Sequence, residues 1–198
     1  SDKCVPLLYL LEFQANVVLG GSKEELTRII TDAGMSGTLE FGMFESMADY
    51  CNSSQQDIAC VALKQALSIL LLPTSSSSVA VAAVTSVAGK RESLLSHGTK
   101  VSRVLRKLIE AQGKAGKAGK RRDETFCHYE TALRVLSAAS AASSESVWPE
   151  VEVEWFMATS WNNGIFFYRA TDFAKAEAWM SLAMGFSKHL KSRVSSPV

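Results

Sequence analysis

The segment from Phe173 to Leu190 constrains the fold more than any other part of the chain. Phe173, Ala176, Met180 and Ala183 recur at three- and four-residue spacing, and Trp179, Leu182, Phe186 and Leu190 form a second apolar stripe beside them. The two stripes together span about half of a helix circumference. One neighbouring helix cannot cover so wide an arc. Such a helix is sandwiched between the partner of its own hairpin and a helix of the next, with Glu177, Ser181 and Lys188 on the polar side. The expectation is a stack of helical hairpins.

Composition agrees. Only four prolines occur in 198 residues, and Ala, Leu, Ser, Lys and Glu are abundant, which favours long helices over short strands. At 47% hydrophobic the chain can bury a core, so it is no disordered tail. Lys and Arg number 21 against 20 Asp and Glu, so any nucleic-acid contact has to come from a local patch. The four cysteines, Cys4, Cys51, Cys60 and Cys127, show neither C-x-x-C nor paired short spacing. They read as free thiols of a reducing compartment rather than a zinc site or a disulfide framework. The N-terminal residues lack the basic, apolar and small-residue pattern of a secretory signal. Gln65 to Gly89 is uncharged and long enough to span a bilayer, but Pro73 and the serines at 75–78 fall at its centre. It reads as a buried helix, a loop and an Ala/Val-rich segment, with no membrane role.

Helix boundaries follow from local chemistry. Val5–Leu19 is apolar up to Gly20-Gly21, and Ser22 with Glu25 three residues later has the capping-box pattern that starts a second helix. Leu39–Cys51 and Ile58–Leu72 make the next pair around a polar turn. Glu92–Gln112 is a helix with Leu94, Val101, Leu105 and Leu108 on one stripe, partnered by a helix from Asp123 or Glu124 to Ala142. Pro149 starts a helix that runs to Arg169, keeping the alternating Glu150–Glu154 stretch helical, and Thr171-Asp172 starts the last helix. The whole chain, 1–198, reads as one all-α region of about four antiparallel helical hairpins, with flexible insertions at 73–88 and 113–122.

A register recurs within this series. Tyr50, Ala59, Leu63 and Ala66 match Phe167, Ala176, Met180 and Ala183 at a constant offset of 117 residues. A weaker copy, Thr125, Tyr129 and Ala132, follows Ala59, Leu63 and Ala66 by 66 residues. An aromatic residue on the first helix and small residues on the second allow two helices to approach closely. This pattern resembles the tetratricopeptide (TPR) repeat, a helix–turn–helix of roughly 34 residues. The last copy matches best, with Gly164 at the small first-helix position, Phe167 at the aromatic one, Asp172-Phe173 at the turn, and Ala176 and Ala183 on the second helix. Asn163 stands where leucine is usual and Trp161 is displaced by one position, and 117 is no multiple of the period, so longer connectors interrupt the array. The fold expected is a TPR-like α-solenoid fragment.

Trp161-Asn162-Asn163-Gly164, Tyr168, Ala176-Glu177-Ala178-Trp179-Met180 and Leu182-Ala183-Met184 are more specific than a generic repeat. They are similar to the TPR segment of the meiotic Zip-four/Spo-twenty-two family, called testis-expressed-eleven in mammals, in which an A-W-N-x-G first helix precedes an A-E-x-W-x-x-L-A second helix. Ser160 replaces the first alanine of that pattern, and the likeness covers Trp155 to Leu190, 36 of the 198 residues. The resemblance implies a nuclear scaffold on meiotic chromosomes, of the crossover-promoting ZMM group, linking recombination intermediates to synaptonemal-complex proteins. Proteins of that family are several times longer, so it also implies that this chain is a fragment. Without the resemblance the expected location is cytoplasmic and the function that of a generic peptide-binding adaptor.

Candidate contact residues follow from this reading. Asn162 and Asn163 lie on the first helix of the last hairpin, where TPR proteins line a concave groove, and Arg169 adds charge there or simply complements the helix dipole. Trp161, Trp179 and Trp155 read as core. Trp148, in a serine-rich connector beside Pro149, reads as the exposed tryptophan that meets a partner. Between 100 and 122 nine basic residues face only Glu110. Of these, Lys114, Lys117, Lys120, Arg121 and Arg122 lie in or beside a Gly/Ala/Lys run without phosphate-loop spacing, either a solvated connector or a weak electrostatic contact with nucleic acid. His97, His128 and His189 lack ligand spacing, and no hydrolase, kinase or dinucleotide motif is present. The expectation is therefore a protein-binding scaffold with no catalytic group, cofactor, metal or small-molecule substrate.

Overall fold

The computed structural model describes residues 4–71, 87–115, 118–142 and 148–190. Every element among the described residues is helical: α1 (Val5–Leu19), α2 (Lys23–Ser36), α3 (Phe41–Tyr50), α4 (Gln56–Leu71), α5 (Val87–Ala115), α6 (Ala118–Ala142), α7 (Glu150–Arg169) and α8 (Phe173–Ser187). The all-α expectation holds. The residues divide into two compact units. One holds α1 to α4 with α5 from Val104 onward, and the other holds α5 up to Arg103, α6 from Arg122, α7 and α8.

In the first unit, glycines end the first two helices in the left-handed conformation that other residues resist, Gly20 at φ 74° and Gly37 at φ 64°. Ser22 caps α2 by accepting a hydrogen bond from the Glu25 backbone N–H at 3.2 Å, as the capping pattern requires. Helix α1 packs on α2 and α3, and α4 on α2 and α3. Their shared interior contains Phe13, Ile30, Phe44, Met47, Leu63 and Ala66. Lys107 of α5 closes onto α3, its ammonium 3.0 Å from Glu45 and 2.8 Å from Asp49. Burial pulls the Lys107 ammonium down, but the hydrogen bonds to Asp49 and Glu45 outweigh it and hold its pKa above the usual lysine value.

In the second unit α7 and α8 are an antiparallel pair. Tyr168 meets Phe173 beside the turn at 5.6 Å between ring centroids, and Phe156 meets Phe186 at the far end at 5.4 Å. The turn has the two hydrogen bonds of a Schellman motif, Thr171 N–H to Tyr168 C=O and Asp172 N–H to Phe167 C=O, both 3.0 Å. Thr171 takes the left-handed position at φ 60°, where glycine is usual. Asp172 then caps α8 by accepting from the Lys175 backbone N–H at 3.2 Å. Between the turn and the far end, Gly164 lets the two helices close: a Cβ there would stand 2.6 Å from Met180 Cγ and 3.3 Å from the Ala176 carbonyl oxygen.

Two expectations need correction. The insertion at 113–122 is largely helical, because α5 reaches Ala115 and α6 begins at Ala118, residues 116–117 lying outside the described set. Alanine and lysine are good helix formers, and a glycine costs only about 1 kcal/mol against alanine, which flanking helix outweighs. The insertion at 73–88 lies outside the described residues except for Val87 and Ala88, which begin α5. The second correction concerns Tyr50. Phe167 is 5% exposed, whereas Tyr50 is 52% exposed. Helix α3 ends at Tyr50, and its buried stripe runs through Phe44 and Met47-Ala48, so Tyr50 projects off that face. The small residues of the register do share one environment: Ala59, Ala66, Ala132, Ala176 and Ala183 are all buried.

Candidate functional site

The buried face of α7 is Val153, Phe156, Ser160, Gly164 and Phe167, at spacings of three and four. Trp161 is one position past Ser160 and so points about 100° away from that face. It is 46% exposed, and across from it on α8 Met184 is 61% exposed. Between them runs an open, mainly apolar groove of about 440 Å³, walled by Met157, Ala158, Trp161 and Asn162 from α7 and by Ala183, Met184 and Ser187 from α8. A tryptophan and a methionine held open to solvent on facing walls are unusual in a helical core, and aromatic and Met side chains are the types enriched where proteins meet proteins.

The proposed contact residues separate. Asn162 is exposed and lies in the groove wall. Asn163, the next residue, turns to α6 instead, where its side-chain oxygen accepts a hydrogen bond from Arg122 Nε at 3.0 Å. The Arg122 guanidinium also lies 3.8 Å over the Phe166 ring. Arg169 is exposed in the last turn of α7. The two tryptophan assignments exchange places. Trp161, expected in the core, lines the groove, while Trp148, expected to be exposed, is buried against Phe156 with ring centroids 5.5 Å apart. The residue before a proline is held extended, and Pro149 thereby returns Trp148 onto the start of α7. Trp179 is buried as expected, edge-on to Phe126 at 4.9 Å and to Tyr129 at 5.0 Å.

Met157 and Met184 were legible only as apolar residues. Met184 carried a readable signal, because it shares the face of Glu177, Ser181 and Lys188 and is the apolar member of that polar row.

Part of the basic run is engaged within the units. Arg106 pairs with Glu110 at 3.0 Å, Lys107 with α3, and Arg122 with Asn163 and Phe166. Lys114 is exposed, Lys117 lies outside the described residues, and Lys120 and Arg121 are placed only as helical positions of α6. Burial, with Cys60 nearby, pushes the Cys51 thiol up to about 11, and burial raises that of Cys60 as well, so neither is a reactive thiolate at neutral pH. Among the described residues no group of three or more His, Cys, Asp or Glu side chains is placed to hold a metal ion. No helix among them is long and apolar enough to cross a membrane.

His189 joins α6 to the residues after α8. Its Nε2 lies 3.1 Å from Ser137 Oγ and its Nδ1 3.2 Å from Ser140 Oγ. Burial, and then the adjacent Lys188, lowers its pKa below the usual histidine value. The folded state thus binds the proton less readily than the unfolded chain, so stability is full above the unfolded pKa near 6.5 and declines as pH falls through it. Because the ring is part-exposed, the decline should be under ~1 kcal/mol. Thermal melts from pH 7.5 to 5.5 should show a downward slope in the wild type that is shallower in His189→Gln.

No protein-family model matches the chain. No solved structure matches it either.

Proposed function

We propose that this chain is a TPR-type helical-hairpin scaffold that binds other proteins through the groove between α7 and α8. The observation that carries this reading is the pair of exposed apolar side chains, Trp161 and Met184, on facing walls of one groove with Asn162 at its edge. A hot spot of this kind combines an aromatic anchor, flexible methionines and one polar group that fixes orientation. The repeat character is supported by Gly164 packed on Ala176 and Met180, and by the burial of Phe167, Ala176 and Ala183. The first-helix aromatic of the α3–α4 pair does not follow the same rule, so the likeness is best in the last hairpin.

The setting we propose, by the resemblance of Trp155 to Leu190, is the nucleus and meiotic chromosomes, with recombination and synaptonemal-complex proteins as partners. The test is co-purification from meiotic cells of the tagged wild type and of Trp161→Ala. Because Trp161 is already half in solvent, the substitution should leave helicity unchanged while cutting partner recovery at least tenfold, the loss expected for truncating an interface anchor. An equal recovery of crossover proteins by the variant contradicts the groove, and their absence from the wild-type eluate contradicts the meiotic setting.

A further inference from the structure

A serine inside a helix usually turns its hydroxyl back onto the helix's own backbone. Ser68, Ser102 and Ser187 do so, each donating to the carbonyl three residues earlier at 2.8, 3.0 and 2.9 Å. Ser137 and Ser140 of α6 instead aim across to His189, Ser137 Oγ at 3.1 Å from its Nε2 and Ser140 Oγ at 3.2 Å from its Nδ1. Ser137 is exposed, and so is Arg134, three residues before it and therefore on the same row of the helix. Lys188, also exposed, lies close enough to act on the His189 charge. The Ser137 hydroxyl thus faces solvent among three basic side chains, two of them from the end of α8. Among the described residues, Leu136 is the last buried residue of α6, and Ser137 to Ala141 are exposed or half-buried. With no buried side chain to hold it, this end of the helix opens more readily than the part before Leu136.

We propose that Ser137 is a phosphorylation site for an arginine-directed protein kinase, and that the phosphate clamps residues 188–190 onto α6. Arg134 supplies the basic residue three positions before the acceptor that such kinases read, and the opening of the helix end presents the segment. The γ-phosphoryl group of ATP passes to Ser137 Oγ: its bond to the bridging oxygen of the β-phosphate breaks, an Oγ–P bond forms, ADP leaves, and the hydroxyl proton goes to the carboxylate base of the kinase. The product carries about −1.5 to −2 charge and three strong acceptor oxygens. Protonated His189, Lys188 and Arg134 are the donors within its reach, and charge-assisted hydrogen bonds of this kind are about twice as strong as neutral ones. The α6 dipole opposes a negative charge near its C-terminus, but that effect is confined to the last turn and Ser137 lies five residues before Ala142. The clamp therefore wins. This inference is independent of the α7–α8 groove.

The test is incubation of the 198-residue chain with the catalytic subunit of cyclic-AMP-dependent protein kinase and Mg-ATP, with the phosphate located by mass spectrometry. A Ser93→Ala background removes a serine that follows basic residues of its own, Lys90-Arg91. Phosphate should accumulate at Ser137, and Arg134→Ala should slow its appearance there at least about tenfold; both substituted chains should keep wild-type circular dichroism. The clamp is read separately, by nuclear magnetic resonance titration of the His189 ring. Its pKa, below the usual 6.5 in the unmodified chain, should rise above about 7 in the phosphorylated one, because a neighbouring dianion favours the imidazolium. Phosphorylation should also raise the melting temperature at pH 6.5, and His189→Gln, which accepts phosphate at the wild-type rate, should lose at least half of that rise. No phosphate at Ser137, or labelling there indifferent to Arg134→Ala, overturns the site. An unmoved His189 pKa, or a melting temperature that falls on phosphorylation, overturns the clamp.

Discussion

Gly164→Leu should unfold or severely loosen the second unit, at a cost of about 3 kcal/mol or more. The argument is the separation at the α7–α8 crossing. A Cβ at Gly164 would already stand 2.6 Å from Met180 Cγ, 3.3 Å from the Ala176 carbonyl oxygen and 3.4 Å from the Met180 backbone nitrogen. Two of these atoms belong to the α8 backbone, so relief requires the helices to part rather than one side chain to rotate. Gly164→Ala shows the same conflict in smaller form. Alanine gains about 1 kcal/mol of helix propensity over glycine, yet overpacking costs about 1–3 kcal/mol, so the net change should be destabilising. The control is Gly42, in the first turn of α3, with nothing within 4 Å of its Cβ position. Gly42→Ala should stabilise by about 0.5–1 kcal/mol. Chemical denaturation of the four proteins checks the order, and opposite signs for the two alanine variants are the diagnostic outcome.

Phe156→Ala should be the most damaging truncation, at about 3–5 kcal/mol. Phe156 is fully buried and meets four other rings: Trp155 at 5.1 Å, Phe186 at 5.4 Å, Trp148 at 5.5 Å and Tyr129 at 5.7 Å. Those rings come from α6, α7, α8 and the segment before α7, so a cavity at their centre cannot be filled by a small movement of any one element. In a chain of this size the loss should lower the melting temperature by roughly 10 °C. Truncating a ring at the rim offers the comparison: Phe166→Ala removes a ring 38% exposed, packed on Arg122 and Phe167, and should cost under about half as much. If Phe156→Ala melts with the wild type, the aromatic cluster is not the core of this unit.

The helices were legible because their signals are local. Gly20, Ser22, Pro149 and Asp172 each end or start a helix through their own backbone preferences or side-chain capping, and those preferences act whatever the tertiary context. Faces were harder. The stripe Ala176, Met180 and Ala183 correctly marked the side of α8 that meets α7, because a close crossing needs small residues there. Tryptophan gave no such guidance. Trp148 and Trp161 have the same chemistry, and only the turn before Pro149 and the 100° step from Ser160 decide which is buried and which lines the groove. The recurrence linking Tyr50 to Phe167 failed for a similar reason: both lie in the last turn of their helices, but Phe167 continues the buried stripe of α7 whereas Tyr50 falls off the buried stripe of α3.

The groove itself was not legible, because it is assembled from Met157, Trp161 and Met184 on two helices whose crossing is set elsewhere, at Gly164. A photo-reactive amino acid placed at Met184 in meiotic cells tests the docking role most directly. Illumination should yield a discrete adduct with another protein, and that adduct should vanish when Trp161→Ala is added. No adduct, or an adduct indifferent to Trp161, would contradict the α7–α8 groove as the docking surface of this chain.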